Sequence, residues 1–145
     1  MVIEIKSDIF TEIGNLKDVN YLIGLFSNNR RYGYFCDISI IAETELYRSL
    51  LDIDRLIIEE YFNKHISEST KMDFRIESNS TSTTFNLEEA KRYFIQPFII
   101  ILENRLNDSY FLNALILNFK KRSKIIKRHL ANGWLDYGNG GGLDN

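Results

Sequence analysis

Little in this chain of 145 residues restrains the backbone covalently or locally: it has one cysteine, one proline and eight glycines, five of them after residue 132. The lone cysteine, Cys36, excludes an internal disulfide and fits a reducing compartment. It lies in an apolar run, where a free thiol behaves as a small buried hydrophobe. No apolar run approaches the roughly 20 residues that a membrane-spanning helix needs. The start, Met1-Val2-Ile3-Glu4-Ile5-Lys6, interleaves charges with apolar residues, which is unlike a signal peptide. A soluble, cytoplasmic protein with no membrane partner is therefore expected. The only two histidines, His65 and His129, lack the spacing of paired metal ligands and read as surface residues. There is no Gly-Lys-Ser/Thr phosphate loop and no dinucleotide fingerprint, since Leu143 stands where a third glycine would be needed.

What is present is core material. The chain is 44% apolar and 13% aromatic, with ten Phe and eight Tyr, which is ample for a packed interior and unlike a disordered chain. The net charge of −2 divides unevenly. Residues 1–95 hold 11 Lys/Arg against 16 Asp/Glu, and residues 96–145 hold 7 against 4. The last third is the basic part.

Along the chain, alternation at residues 2–6 predicts a strand with one wet face. Asp18 is placed to cap a helix whose positions 19, 22, 23 and 26 share an apolar face. Residues 34–41 read as a second strand, with Asp37 and Ser39 turned outward. Thr44 and then Asp52 or Asp54 start two helices, reaching residues 51 and about 66. Residues 72–77 alternate as a third strand, and residues 78–84 form a polar loop. Asn86 or Thr84 opens a short helix through Phe94. Pro97 restarts the chain, because the residue before a proline disfavours helix. This divides the chain into an α+β region, residues 1–96, and a βαβ segment, residues 97–145.

The second segment begins with Phe98-Ile99-Ile100-Ile101-Leu102, a continuous apolar run of the kind that forms a buried parallel strand. A long helix is expected from Asp108, as its cap, to about residue 131, with a core face at 111, 112, 115, 116 and 119 and a break near Ser123. Asn132-Gly133 ends it. Residues 134–137 read as a strand and residues 138–142 as a glycine loop. A right-handed crossover makes the two strands parallel. The fold class is α/β.

Function in open α/β sheets gathers at the carboxyl ends of strands, which singles out Glu103. Glu103 can serve as a Mg²⁺ ligand or general base, or be only the first wet residue after the strand. Asp108 is a second ligand or only a cap. Gly138, Gly140 and Gly141 follow a strand, as a phosphate-binding loop does, or form a plain glycine tail. Lys120, Lys121, Lys124, Lys127 and Arg128 make a basic helical stretch, with 120, 124, 127 and 128 on one face. That suits a nucleic-acid backbone or a solvated surface.

The order of these parts resembles the opening half of a TOPRIM domain, the metal-binding fold of topoisomerases, primases and the OLD-type nucleases of bacterial defence. Ile99-Ile100-Ile101-Leu102-Glu103 matches that family's first strand and its catalytic Glu. Asp108 stands near the family's Asp, five residues on instead of four, and Asn104 replaces the family's glycine. Asp108-Ser109-Tyr110-Phe111-Leu112 resembles the following helix, and Gly140-Gly141-Gly142 its later glycine loop. The resemblance covers residues 97–145. It implies a Mg²⁺-dependent, nuclease-like protein acting on nucleic-acid phosphodiesters. In this reading Glu103 is catalytic, Glu103 and Asp108 hold the metal, and residues 120–128 hold the nucleic acid. The family's later Asp-x-Asp is absent after residue 103, and Asp52-Ile53-Asp54 precedes the strand. The chain is therefore expected to be inactive alone, as a fragment or degenerate copy. The competing expectation is a non-catalytic interaction module whose open strand edges take a protein partner or a second copy.

Overall fold

Ile3 and Ile5 alternate with wetter neighbours, and this period of two forms β1 (Val2–Ile5), with both isoleucines buried. The computed structural model describes residues 1–28, 31–68, 71–119, 121 and 123–140. It comprises two compact units, Met1–Ile95 and Gln96–Asn145.

In the N-terminal unit two short 3-10 turns lead from β1 into α1 (Leu16–Ser27), which buries Val19, Leu22, Ile23 and Phe26 on one face. Asp18 is not the cap. It sits within the first turn, where its charge suits the helix dipole, and Lys91 Nζ reaches it at 2.8 Å. β2 is only Gly33–Phe35. The strand expected to run to residue 41 stops because the Asp37 side chain accepts the Ser39 N–H at 3.1 Å and caps α2 (Ile38–Ile41). This local bond wins over the ladder. α3 (Glu45–Ser49) starts at Thr44, whose hydroxyl accepts the Tyr47 N–H. α4 (Asp52–Glu68), β3 (Phe74–Ile76) and α5 (Leu87–Phe94) follow. Asn86 and Glu89 form a reciprocal capping box at the start of α5.

The strand order is β2-β1-β3, and both pairings are parallel: Ile3 lies opposite Tyr34 on one side and Phe74 on the other. The unit expected to be α+β is thus itself parallel α/β. The chain leaves β1 for β2 and then passes back to β3, so right-handed crossovers put α1 and α4 on opposite faces. α1 packs against α5, and α4 packs on β2. Aromatic side chains fill the core around Phe94, whose ring meets those of Phe26, Tyr32 and Phe85 edge-on at 5.4 Å. Cys36 is fully buried, and burial pushes its thiol pKa up.

The C-terminal unit is β4 (Phe98–Leu102), α6 (Arg105–Asn118), α7 (Lys124–Ala131) and β5 (Leu135–Asn139). The strands pair in parallel from Phe98 opposite Leu135 to Leu102 opposite Asn139. The helical stretch breaks before Ser123, whose hydroxyl lies 2.7 and 2.8 Å from the carbonyls of Ile116 and Phe119. Gly133, at φ +67°, ends α7 in the left-handed conformation.

Two expectations about this unit fail. β4 is not buried on both faces: Ile99 and Ile101 are 58% and 65% exposed. The apolar face of α6 is not closed either, since Phe111 and Phe119 are exposed. The reason is the same for both. Sheet and helices meet on one side only, around an apolar cavity of about 410 Å³ lined by Ile100, Leu112, Ile116, Ile126 and Tyr137. Within this unit, none of the described residues packs on the other face of the sheet. Nor, among them, is any helix long and apolar enough to cross a membrane.

Candidate functional site

The apolar run of β4 ends at the buried Leu102, and the chain turns to solvent at Glu103. The next residue, Asn104, caps α6 by accepting the Asn107 N–H at 3.1 Å. Asp108 is therefore not the cap, because the helix already starts at Arg105. Its Oδ2 accepts the Asn104 N–H at 3.0 Å, closing the turn from the other side. One carboxylate oxygen of Asp108 is thus committed to the backbone. Among the described residues, Glu103 has no hydrogen-bond or ion-pair partner.

β5 ends at the same edge. Gly140 N–H donates to the Leu102 carbonyl at 2.7 Å, which carries the ladder one step past the strands and lays Gly140 beside the Leu102–Glu103 peptide. Gly138 belongs to β5 opposite Ile101 and not to a loop. A Cβ at Gly138 would lie 2.7 Å from Ile99 Cγ2, and one at Gly140 would lie 3.0 Å from Ile101 Cγ2. These two glycines make room for the isoleucines of β4, and the Gly140 N–H is spent on the sheet. Gly141 lies outside the described residues.

The basic stretch is placed elsewhere. Lys120 and Arg122 lie outside the described residues, and Lys121 is exposed between the helices. α7 starts only at Lys124, so no single helical face runs from 120 to 128. Lys124 and Arg128 are exposed on α7, and Lys127 is half-buried. His129, next along α7, stacks on Phe98, the first residue of β4, at 6.4 Å. Its carbonyl accepts the Trp134 N–H at 2.8 Å. The last turn of α7 therefore sits at the amino end of the sheet, and Glu103 at the carboxyl end. A five-residue strand separates them by roughly 15 Å. The structure does not bring the cations of α7 to Glu103.

Among the described residues, no three His, Cys, Asp or Glu side chains come together as a metal site. Asp108 is bonded to the residue after Glu103, so these two are the candidate carboxylates here, and Mg²⁺ commonly takes one or two from a protein, completed by water and phosphate. Asp52 and Asp54 open α4 in the other unit, and Arg55 pairs with Asp52. Neither histidine is a free surface residue. His65 is buried, and His129 is half-buried in an aromatic stack with Phe98 and Trp134.

One concavity went unread in the sequence. Beyond the carboxyl ends of β1 and β3 lies a cavity of about 480 Å³, with Ile9 and Leu87 in its lining beside Glu12, Asn15, Asp18, Asn79, Asn86 and Glu88. This is where the strand order of the N-terminal sheet reverses. Lys91 ties two of its carboxylates, Asp18 at 2.8 Å and Glu88 at 2.6 Å. Asn86 was visible in the sequence as a helix start, whereas the start at Asn15 was misplaced to Asp18. Their convergence depends on strand order, which no local pattern encodes. Compared with known proteins, the chain matches no family model, no curated protein and no solved structure.

Proposed function

We propose that the C-terminal unit is a TOPRIM-like half-site for processing nucleic-acid phosphodiesters with Mg²⁺, incomplete in this chain and inactive alone. The observation that carries the reading is the carboxyl end of the β4–β5 pair. There Glu103, a carboxylate with no partner among the described residues, follows the end of a parallel strand beside Gly140. Glu103, joined by Asp108, would hold the ion, and a bound Mg²⁺ supplies charge stabilisation to a phosphate oxygen. Nucleic acid would lie across the carboxyl edge. The cations of α7, at the other end of the sheet, would serve a longer track and not the reacting phosphate. Mg²⁺ or Mn²⁺ titration by NMR, on the chain and on Glu103→Gln, tests this. Shifts centred on residues 103, 104 and 108, and lost in the variant, are expected. Silence at millimolar metal overturns the reading.

A second reading is favoured by a separate observation, the uncovered face of the β4–β5 sheet, where Ile99 and Ile101 are exposed, with Leu106, Phe111 and Leu117 exposed in turn on α6. Exposed apolar surface on a sheet face is a common mark of a protein contact. In this reading the unit is a cytoplasmic interaction module that takes a second copy or a protein partner. Sedimentation of the chain and of a variant carrying Ile99→Lys with Ile101→Lys separates the outcomes. Concentration-dependent association lost in the variant supports it, and a monomer throughout removes the second copy.

A further inference from the structure

The N-terminal unit holds a buried histidine that neither functional reading uses. His65 lies in the last turn of α4 and is 5% exposed. Both ring nitrogens are buried without a hydrogen-bond partner among the described residues. A neutral imidazole has one donor and one acceptor, so both are left unsatisfied. The ring stacks on Tyr61 at 5.9 Å, and Tyr61 in turn lies 4.7 Å from Tyr34 of β2. It presses against β2 itself, since a Cβ at Gly33 would come within 3.5 Å of His65 Nε2. The Met1 carbonyl, 3.6 Å from that same Cβ position, already takes the Gly33 N–H at 3.0 Å.

We propose that His65 is an acid-sensitive latch: protonation of its ring releases the C-terminal half of α4 from β2 and uncovers the aromatic surface of that edge strand. The added proton would charge a ring that has no acceptor. The groups around it do not repair this. Lys64, its neighbour on α4, repels the charge, and Glu68, one turn on, attracts it. The buried Tyr34 hydroxyl, its pKa pushed up by burial, is neutral throughout this range. The amino-terminal ammonium of Met1 is held 4.0 Å from Asp73. Burial is the largest influence and pulls the His65 pKa below 6.5. The sign follows. An unfolded chain binds the proton near pH 6.5 and the folded one only below that. Stability from His65 is complete above about pH 6.5 and drains away as the pH falls through the folded value.

Once α4 lifts, β2 is left with Phe35 and its outer backbone groups uncovered at the edge of the sheet, and Tyr34 keeps only its packing on Phe26 of α1. The latch therefore couples mild acid to a surface able to pair with another strand.

The test uses the whole chain. Ring resonances of the two histidines are followed by NMR from pH 7.5 to 4.5, together with hydrogen-exchange protection at residues 61–68. His65 is expected to titrate below 6.5. Protection at 61–68 should fall about tenfold by pH 5, in step with that titration. In His65→Phe, which keeps an aromatic ring and removes the proton site, the step should vanish. If the larger ring prevents folding, His65→Leu serves the same purpose. A His65 pKa at or above 6.5, or a protection step that persists in the variant, overturns the proposal.

Discussion

Ile99 and Gly138 share one volume. Isoleucine is branched at Cβ and stiff about its first torsion, so its Cγ2 cannot swing aside freely. A methyl group at Gly138 would stand 2.7 Å from it. Gly138→Ala is therefore expected to destabilise the C-terminal unit by about 1–3 kcal/mol, as overpacking does. Urea unfolding followed at Trp134, the chain's one tryptophan, reads this directly. Adding Ile99→Ala should return most of the loss, because the two residues are coupled through the same contact. Loss of stability that the second substitution leaves untouched would show that the glycine is required for something other than room.

Among the elements, α5 has the best-defined start. Its capping box ties the Asn86 side chain to the Glu89 N–H and the Glu89 carboxylate to the Asn86 N–H, both at 2.9 Å. Asn86→Ala should cost about 1 kcal/mol in urea unfolding of the N-terminal unit, and Asn86→Ser should cost much less. Caps of this kind are why helices starting at Thr44 and Asn86 were legible in the sequence: the signal lies within three residues of its effect. Asp37 and Asp18 were misread for a related reason. Asp37 bends the chain into a helix where apolar alternation argued for strand, and Asp18 lies inside a helix that starts two residues earlier. β4 and α6 show the other limit. Their apolar pattern is real, but a pattern states which face wants cover and not whether cover is there. Glu103 at the strand end was readable. The separation of α7 from Glu103, and the cavity over β1 and β3, follow from topology and were not.

At the scale of the whole molecule the two units are unequal. Met1–Ile95 buries most of the large side chains, whereas among the described residues of Gln96–Asn145 only Leu102, Ser123 and Trp134 are buried. Local stability follows buried apolar contact. Native-state hydrogen exchange should therefore show amides of β4, α6 and α7 exchanging far faster than those of β1 and α1. Equal protection in both units would mean that the open face is covered in solution. A protein partner or a second copy that covers it should slow exchange at residues 99–101 selectively, whereas Mg²⁺ should act at residues 103–108.

Parallel pairing has a last consequence, in time. The nearest ladder partners are 31 residues apart (Val2 and Gly33), 71 apart (Ile3 and Phe74) and 37 apart (Phe98 and Leu135). None of the described strands can begin as a hairpin, and loop closure must precede each of these ladders. On a ribosome adding about 5–20 residues per second, β4 waits roughly 2–7 s for β5 to be made. For that interval Phe98-Ile99-Ile100-Ile101-Leu102 is a bare, uncharged β-prone pentapeptide, and what meets it first during synthesis decides whether the nascent chain folds or aggregates.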